Sequence, residues 1–167
     1  MASGNVILRP SNITKTLICI DDFFHADMTG RLFNPYIRGP IRFSGMLGMI
    51  RELENMMDEF SFPESTFRYQ AFREKNSGPR QKNIREVRRF MSDDIFQQKF
   101  GEQATFVVQV QFRQNATWQG TIQWLEEKQS RKFRSMLEMI KLMDEALTQE
   151  QETDDTVNSD LMSEKAI

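Results

Sequence analysis

One cysteine (Cys19) and one histidine (His25) are all this chain holds of the two most versatile reactive side chains. A lone cysteine excludes an intrachain disulfide. The first residues, MASGNVILRPSN, lack the apolar core of a signal peptide, so a reducing, cytoplasmic setting is expected. With a single histidine, a Ser-His-Asp or Cys-His catalytic set has little to draw on. No Gly-rich phosphate loop, CxxC or HExxH is present. No apolar run approaches the roughly 18 residues of a membrane span. These gaps leave no residues to nominate for catalysis, for a metal or for a cofactor.

Apolar residues are plentiful, at 39% of the chain, with 14 Phe and 11 Met among 167 residues. That suffices for one domain with a real core and is too much for a disordered protein. The net charge of −2 hides a split. Arg68, Arg73, Lys75, Arg80, Lys82, Arg85, Arg88 and Arg89 face only Glu74 and Glu86 in the middle of the chain. The end carries Glu150, Glu152, Asp154, Asp155, Asp160 and Glu164 against Lys165. Residues 149–167 show no apolar periodicity and are expected to form a disordered acidic tail after a single domain over 1–148.

The most informative pattern is an internal repeat. Shifted by 90 residues, 16–53 aligns with 106–143 without a gap, and seven pairs are identical: Ala26/Ala116, Gly30/Gly120, Phe43/Phe133, Met46/Met136, Leu47/Leu137, Met49/Met139 and Ile50/Ile140. Each copy reads strand, turn, strand, loop, helix. Phe106, Val108, Val110 and Phe112 alternate with more polar residues, the period of a half-buried strand. Asn115 to Gly120 supplies a turn, with Asn tolerating positive φ and Gly permitting it. Trp118, Ile122 and Trp124 share a face of the return strand. Helical stripes follow at Phe43, Met46, Leu47, Ile50, Leu53 and Met57, and at Phe133, Met136, Leu137, Ile140, Met143 and Leu147. Ser44 is a candidate N-cap for the first. The expected fold is α+β, built from duplicated ββα units (about 16–60 and 106–147, connector 61–105) that form one antiparallel sheet of four to five strands under two amphipathic helices. Within the connector, 67–71 reads as a short strand, 76–83 as a loop, 84–91 as helix or strand, and 92–101 as a short capped helix.

Asp21, Asp22, His25 and Asp27 in DDFFHAD suit a divalent metal chemically, but on a strand Asp21 and Asp22 point to opposite faces. A solvated turn is the better reading. Asn12-Ile-Thr14 and Asn115-Ala-Thr117 fit the glycosylation sequon, which has no meaning without secretion. The basic segment 68–90, with Phe67, Tyr69, Phe72 and Phe90 interleaved, offers cations for phosphates and rings for stacking, so nucleic-acid contact through Arg80, Lys82, Arg85, Arg88 and Arg89 is one reading. The methionines of the helices, Met139 among them, fit either a core or an adaptable contact surface.

Two resemblances accompany these readings. Arg85-Glu-Val-Arg88-Arg89 and Asn115-Ala-Thr117-Trp-Gln-Gly120 resemble, over about 35 residues, the Arg-x-x-x-Arg arm and [Asp/Asn]-x-Ser-x-x-Gly turn of the PilZ family, which implies cyclic di-GMP binding. Separately, FRQNATWQGTIQWLEEK followed by FRSMLEMIKLMDEAL is similar to short bacterial proteins of the Clostridia type that share F-R-Q-N-[AS]-[ST]-W-Q-G and F-R-S-x-L-E. That likeness implies a bacterial cytoplasmic origin and carries no function. The leading expectation is a non-catalytic binding or regulatory protein that contacts a protein partner or itself through Arg113, Gln114, Asn115, Trp118, Gln119, Arg134 and Met139. Nucleic acid is the alternative partner, and no membrane is expected.

Overall fold

A computed structural model of the chain describes residues 10–66, 72 and 87–164, the last stretch by its backbone alone at 153, 154 and 156–164. Among the described residues nine elements run β1 (Thr16–Phe24), β2 (Asp27–Phe33), β3 (Ile41–Ser44), α1 (Met46–Phe60), α2 (Ile95–Gln98), β4 (Ala104–Phe112), β5 (Gln119–Trp124), β6 (Gln129–Phe133) and α3 (Met136–Glu164). The strands make one antiparallel sheet in the order β3-β2-β1-β4-β5-β6. Strand alternation sorts the side chains. Ile18, Ile20, Leu32, Phe106, Val108 and Ile122 pack with the buried faces of α1 and α3. On the opposite face Leu17, Cys19, Phe33 and Val107 are covered by Ile95 of α2, with Met91 and Phe96 beside it. No helix among the described residues is long and apolar enough to cross a membrane.

The two halves match element for element across the 90-residue offset. Where β1 meets β4, Leu17 faces Val107, and the flanking pairs Thr16–Val108 and Ile18–Phe106 exchange under the same offset. The register therefore places an approximate two-fold axis through the Leu17–Val107 pair. Each first strand carries a bulge, between Ile20 and Asp22 in one half and between Val110 and Phe112 in the other. The hairpin tips are alike too: His25 and Ala26 have φ of 51° and 60°, Asn115 and Ala116 55° and 59°, the pair of positive values a type I′ turn requires. Gly30 and Gly120 serve a different end. A Cβ on either would lie 2.0 Å from the carbonyl oxygen of Cys19 or Gln109 and 3.0 Å from Cζ of Phe43 or Phe133. Each glycine lets the neighbouring strand's phenylalanine lie across it.

Several expectations are corrected. Each half has three strands, βββα, so the sheet has six. β3 and β6 are edge strands and carry little alternation: in β6, Gln129 to Lys132 are exposed and only Phe133 is buried. Phe43 and Phe133 belong to these strands, not to the helical stripes. Leu47 and Leu137 are 69% and 61% exposed, and Met49 and Met139 take their places in the core, because each helix begins at Met46 or Met136 and its buried stripe is turned accordingly. Ser44 lies in β3; Gly45, at φ 76°, precedes α1 and offers no side-chain cap. The second half has what the first lacks there: Ser135 Oγ accepts from Glu138 N (3.0 Å), and Glu138 Oε2 accepts from Arg134 N (2.7 Å). α3 continues to Glu164, so helix replaces the expected disordered tail over 149–164. Gln151 helps hold that extension, its Nε2 donating to Phe23 O at 2.9 Å. Residues 67–71 and the loop 76–83 lie outside the described residues. Of 84–91, residues 87–90 have no regular structure.

Candidate functional site

The β2–β3 loop, 34–40, is fixed from within. Asn34 is 2% exposed; its Nδ2 donates to Ile13 O (2.9 Å), Lys15 O (3.2 Å) and Thr16 Oγ1 (3.2 Å), while its Oδ1 accepts from Tyr36 N (2.8 Å). A buried amide satisfied on both ends makes the loop rigid. Pro35 O then accepts from Phe90 N (2.8 Å) and Met91 N (3.1 Å), which ties the end of the basic segment to this loop.

Cations and rings gather around that tie. The Arg38 and Arg88 guanidiniums lie 5.2 and 5.8 Å from the Phe90 ring centroid, and Arg89 lies 5.8 Å from Tyr36. Phe90 remains 43% exposed. The series continues with Lys15 over Phe96 at 4.5 Å, and with Arg31 and Lys99 over Phe33 at 5.6 and 5.8 Å. Two of these cations are neutralised: Arg89 pairs with Asp93, and Arg31 holds Asp21 through Nε–Oδ2 (2.7 Å) and Nη2–Oδ1 (2.8 Å). That bidentate contact holds the Asp21 carboxyl below its usual range and raises Arg31. Among the described residues, Lys15, Arg38, Arg88 and Lys99 have no acidic partner. The result is a cationic ridge along aromatic rings of which Phe90 is exposed, Tyr36 and Phe96 are half-buried and Phe33 is buried. Its chemistry suits phosphates paired with stacked planar groups.

The residues nominated for contact do not assemble into one surface. Trp118 and Met139 are 1% and 0% exposed and belong to the core, so their side chains are not available to a partner. Arg113 is 6% exposed and ties the second hairpin to the end of α1: Nε donates to Pro63 O (2.8 Å) and Nη1 to Asp58 Oδ1 (2.7 Å). Gln114 and Asn115 are exposed at the hairpin tip, Gln119 is half-buried, and Arg134 is exposed beside Glu138. Thr117 Oγ1 accepts from Met136 N at 3.3 Å, so the turn's hydroxyl is engaged with α3. Arg88 and Arg89 meet Phe90 and Tyr36, not this turn, and Arg85, Arg80 and Lys82 lie outside the described residues.

In DDFFHAD, Asp21 is committed to Arg31 and Asp27 Oδ1 accepts from Met28 N at 3.0 Å. Among the described residues no three His, Cys, Asp or Glu side chains gather as metal ligands. Cys19 is buried beneath α2, and that burial pushes its thiol up to about 11. What sequence reasoning missed at the ridge is Lys15, Arg31, Arg38 and Lys99, which lie outside the basic run and join it only in three dimensions.

Comparison with protein-family models, with curated proteins and with solved structures finds no match to this chain.

Proposed function

We propose that the chain is a binding protein for single-stranded nucleic acid, contacted through the ridge formed by Lys15, Arg38, Arg88, Phe90 and Lys99. The observation that carries this reading is the exposed Phe90 ring beside two guanidiniums, Arg38 and Arg88, that have no acidic partner among the described residues. Cations that lack an internal counter-charge are free to neutralise phosphates, and an exposed ring offers a stacking platform for any base. By sequence, the basic run that includes Arg80, Lys82 and Arg85 leads directly into this ridge.

The test is fluorescence anisotropy with short labelled DNA and RNA strands at several salt concentrations. About four phosphate contacts give a slope of log K against log salt near −3 for single strands. Phe90→Ala weakens binding by about 1–3 kcal/mol, and Arg38→Ala with Arg88→Ala flattens the salt slope. Absence of binding at low salt removes the proposal. Cyclic di-GMP is the control ligand, since a PilZ-like mode requires Arg85 and Asn115 to act together.

A second reading, self-association, is favoured by the equivalent exposure of Leu47 and Leu137 at the starts of α1 and α3. Light scattering on wild type and a Leu47→Lys/Leu137→Lys double variant decides it; a monomer in both sinks the idea. We further infer that the two βββα halves descend from one duplicated unit. The symmetric β1–β4 register and the paired glycines support this.

A further inference from the structure

Helix α3 and the β5–β6 hairpin enclose an open cavity of about 150 Å³. Its walls are the apolar side chains of Phe106, Ile122, Trp124, Leu142 and Ala146. Gln129, Arg131, Glu145 and Gln149 also line it, all four solvent-exposed and so at its mouth.

The other half explains why the space is open. The positions matching Ala146, Glu126 and Glu150 are Met56, Tyr36 and Phe60. There the chain leaves β2 at Phe33 and folds its loop over the core, where Tyr36 and Ile37 pack and Tyr36 meets Phe60 edge-on at 6.4 Å. Met56 is buried, its sulfur 3.6 Å from Thr16 Oγ1. In the second half the same stretch continues as a straight hairpin, pairing Trp124 with Gln129 and turning at Leu125 to Lys128. Glu126 is drawn to the opposite side of the frame by Thr105 N, at 3.0 Å from its Oε2. Among the described residues no aromatic side chain replaces that cover, and the space beside Ala146 stays open.

We propose that this cavity binds a small zwitterion with an apolar side chain, an α-amino acid of the leucine or phenylalanine class. A cavity of this size accommodates a benzene-sized body. An apolar body with its polar side chains gathered at the mouth suits a ligand that has one apolar end and one charged end. Arg131 and Glu145 set opposite charges at one mouth without forming an ion pair with each other. The Arg131 guanidinium is steadied by Ser130 O (2.9 Å) and Gln129 Oε1 (3.0 Å), ready for a carboxylate. Glu145 is left for an ammonium group. Among the described residues no acceptor pairs with the buried indole N–H of Trp124, whose side chain forms part of the wall.

The experiment uses the full chain and four probes at millimolar concentration: phenylalanine, leucine, phenethylamine and 3-phenylpropionate. Thermal shift and indole fluorescence are the readouts. The amino acids raise the melting temperature saturably, and each single-charge analogue binds at least about tenfold more weakly, as loss of a charged hydrogen bond predicts. Ala146→Met restores the side chain found in the other half and abolishes the response. Arg131→Gln and Glu145→Gln, both at exposed positions, each weaken it about tenfold and serve as the test if the methionine variant does not fold. No saturable response to either amino acid overturns the proposal. So does a response unchanged in Arg131→Gln and Glu145→Gln, or analogues that bind as well as the zwitterions. Oligonucleotide affinity measured on the same samples keeps this result separate from the fate of the ridge.

Discussion

Replacing Arg113 by Ala separates a structural role from a recognition role at the residue where sequence and structure differ most. The guanidinium is 6% exposed and donates to Pro63 O and Asp58 Oδ1 at 2.8 and 2.7 Å. Truncation strips the Pro63 carbonyl of this donor, a loss worth about 1–3 kcal/mol where the acceptor stays dry. Asp58 is 38% exposed and re-solvates, so the ion pair itself contributes only about 0–1 kcal/mol. Loss of the packed stem brings the total to about 2–4 kcal/mol, a large share of a typical domain's stability. For a chain of this length that lowers Tm by roughly 5–15 °C. Urea unfolding followed by circular dichroism measures it, with m-values compared to confirm that the midpoint alone moves. Oligonucleotide affinity and oligomeric state, measured where both proteins are folded, stay unchanged. Arg113→Lys falls between the two, since a point charge cannot serve both acceptors as the planar fork does. A loss below about 0.5 kcal/mol, or a selective loss of binding with full stability, refutes the structural assignment.

Gly30→Ala and Gly120→Ala each place a Cβ 2.0 Å from a neighbouring strand's carbonyl oxygen, so both destabilise by about 2 kcal/mol or more, as read from denaturation midpoints. A neutral result at either position removes the close-approach argument for that half. Cys19, buried and with its thiol pushed up to about 11, resists iodoacetamide at pH 8 in the native protein and reacts only in denaturant. Rapid native labelling contradicts the burial. Asp21, lowered by Arg31, contributes stability that is complete above the unfolded carboxyl value of about 4 and is lost as pH falls through the lower folded value. Asp21→Asn flattens that acid limb by about 1 kcal/mol at most, because both side chains are about a quarter exposed (27% and 26%). Glu54 has the opposite sign: burial, helped by Asp58, raises its carboxyl, so stability declines as pH rises from its unfolded value through its folded one. Glu54→Gln abolishes that decline in a pH series of unfolding curves.

The 90-residue repeat, the alternation in β1, β4 and β5 and the 3.6-residue pattern of α1 and α3 are all written in the chain, because elements that bury one face must repeat apolar residues at their own period. They determined an antiparallel sheet backed by two helices. The edge strands were not legible: a strand with one neighbour and an exposed face needs no apolar alternation, and Phe133 is the only residue of β6 that the core claims. The same limit hid the turn of the helical stripes, since Leu47 and Met49 are equally apolar and only the start of α1 decides which faces the sheet. The residues proposed for contact divide along the same line. Arg88 and Arg89 were visible as part of a basic run, but Lys15, Arg38 and Lys99 come from distant stretches and join it only where Asn34 and Pro35 fix the β2–β3 loop. Tertiary structure alone assigned Trp118, Met139 and Arg113 to the interior, because burial depends on which surface an element covers. It likewise opened the cavity beside Ala146, where a hairpin that runs straight leaves uncovered what its counterpart covers with Tyr36.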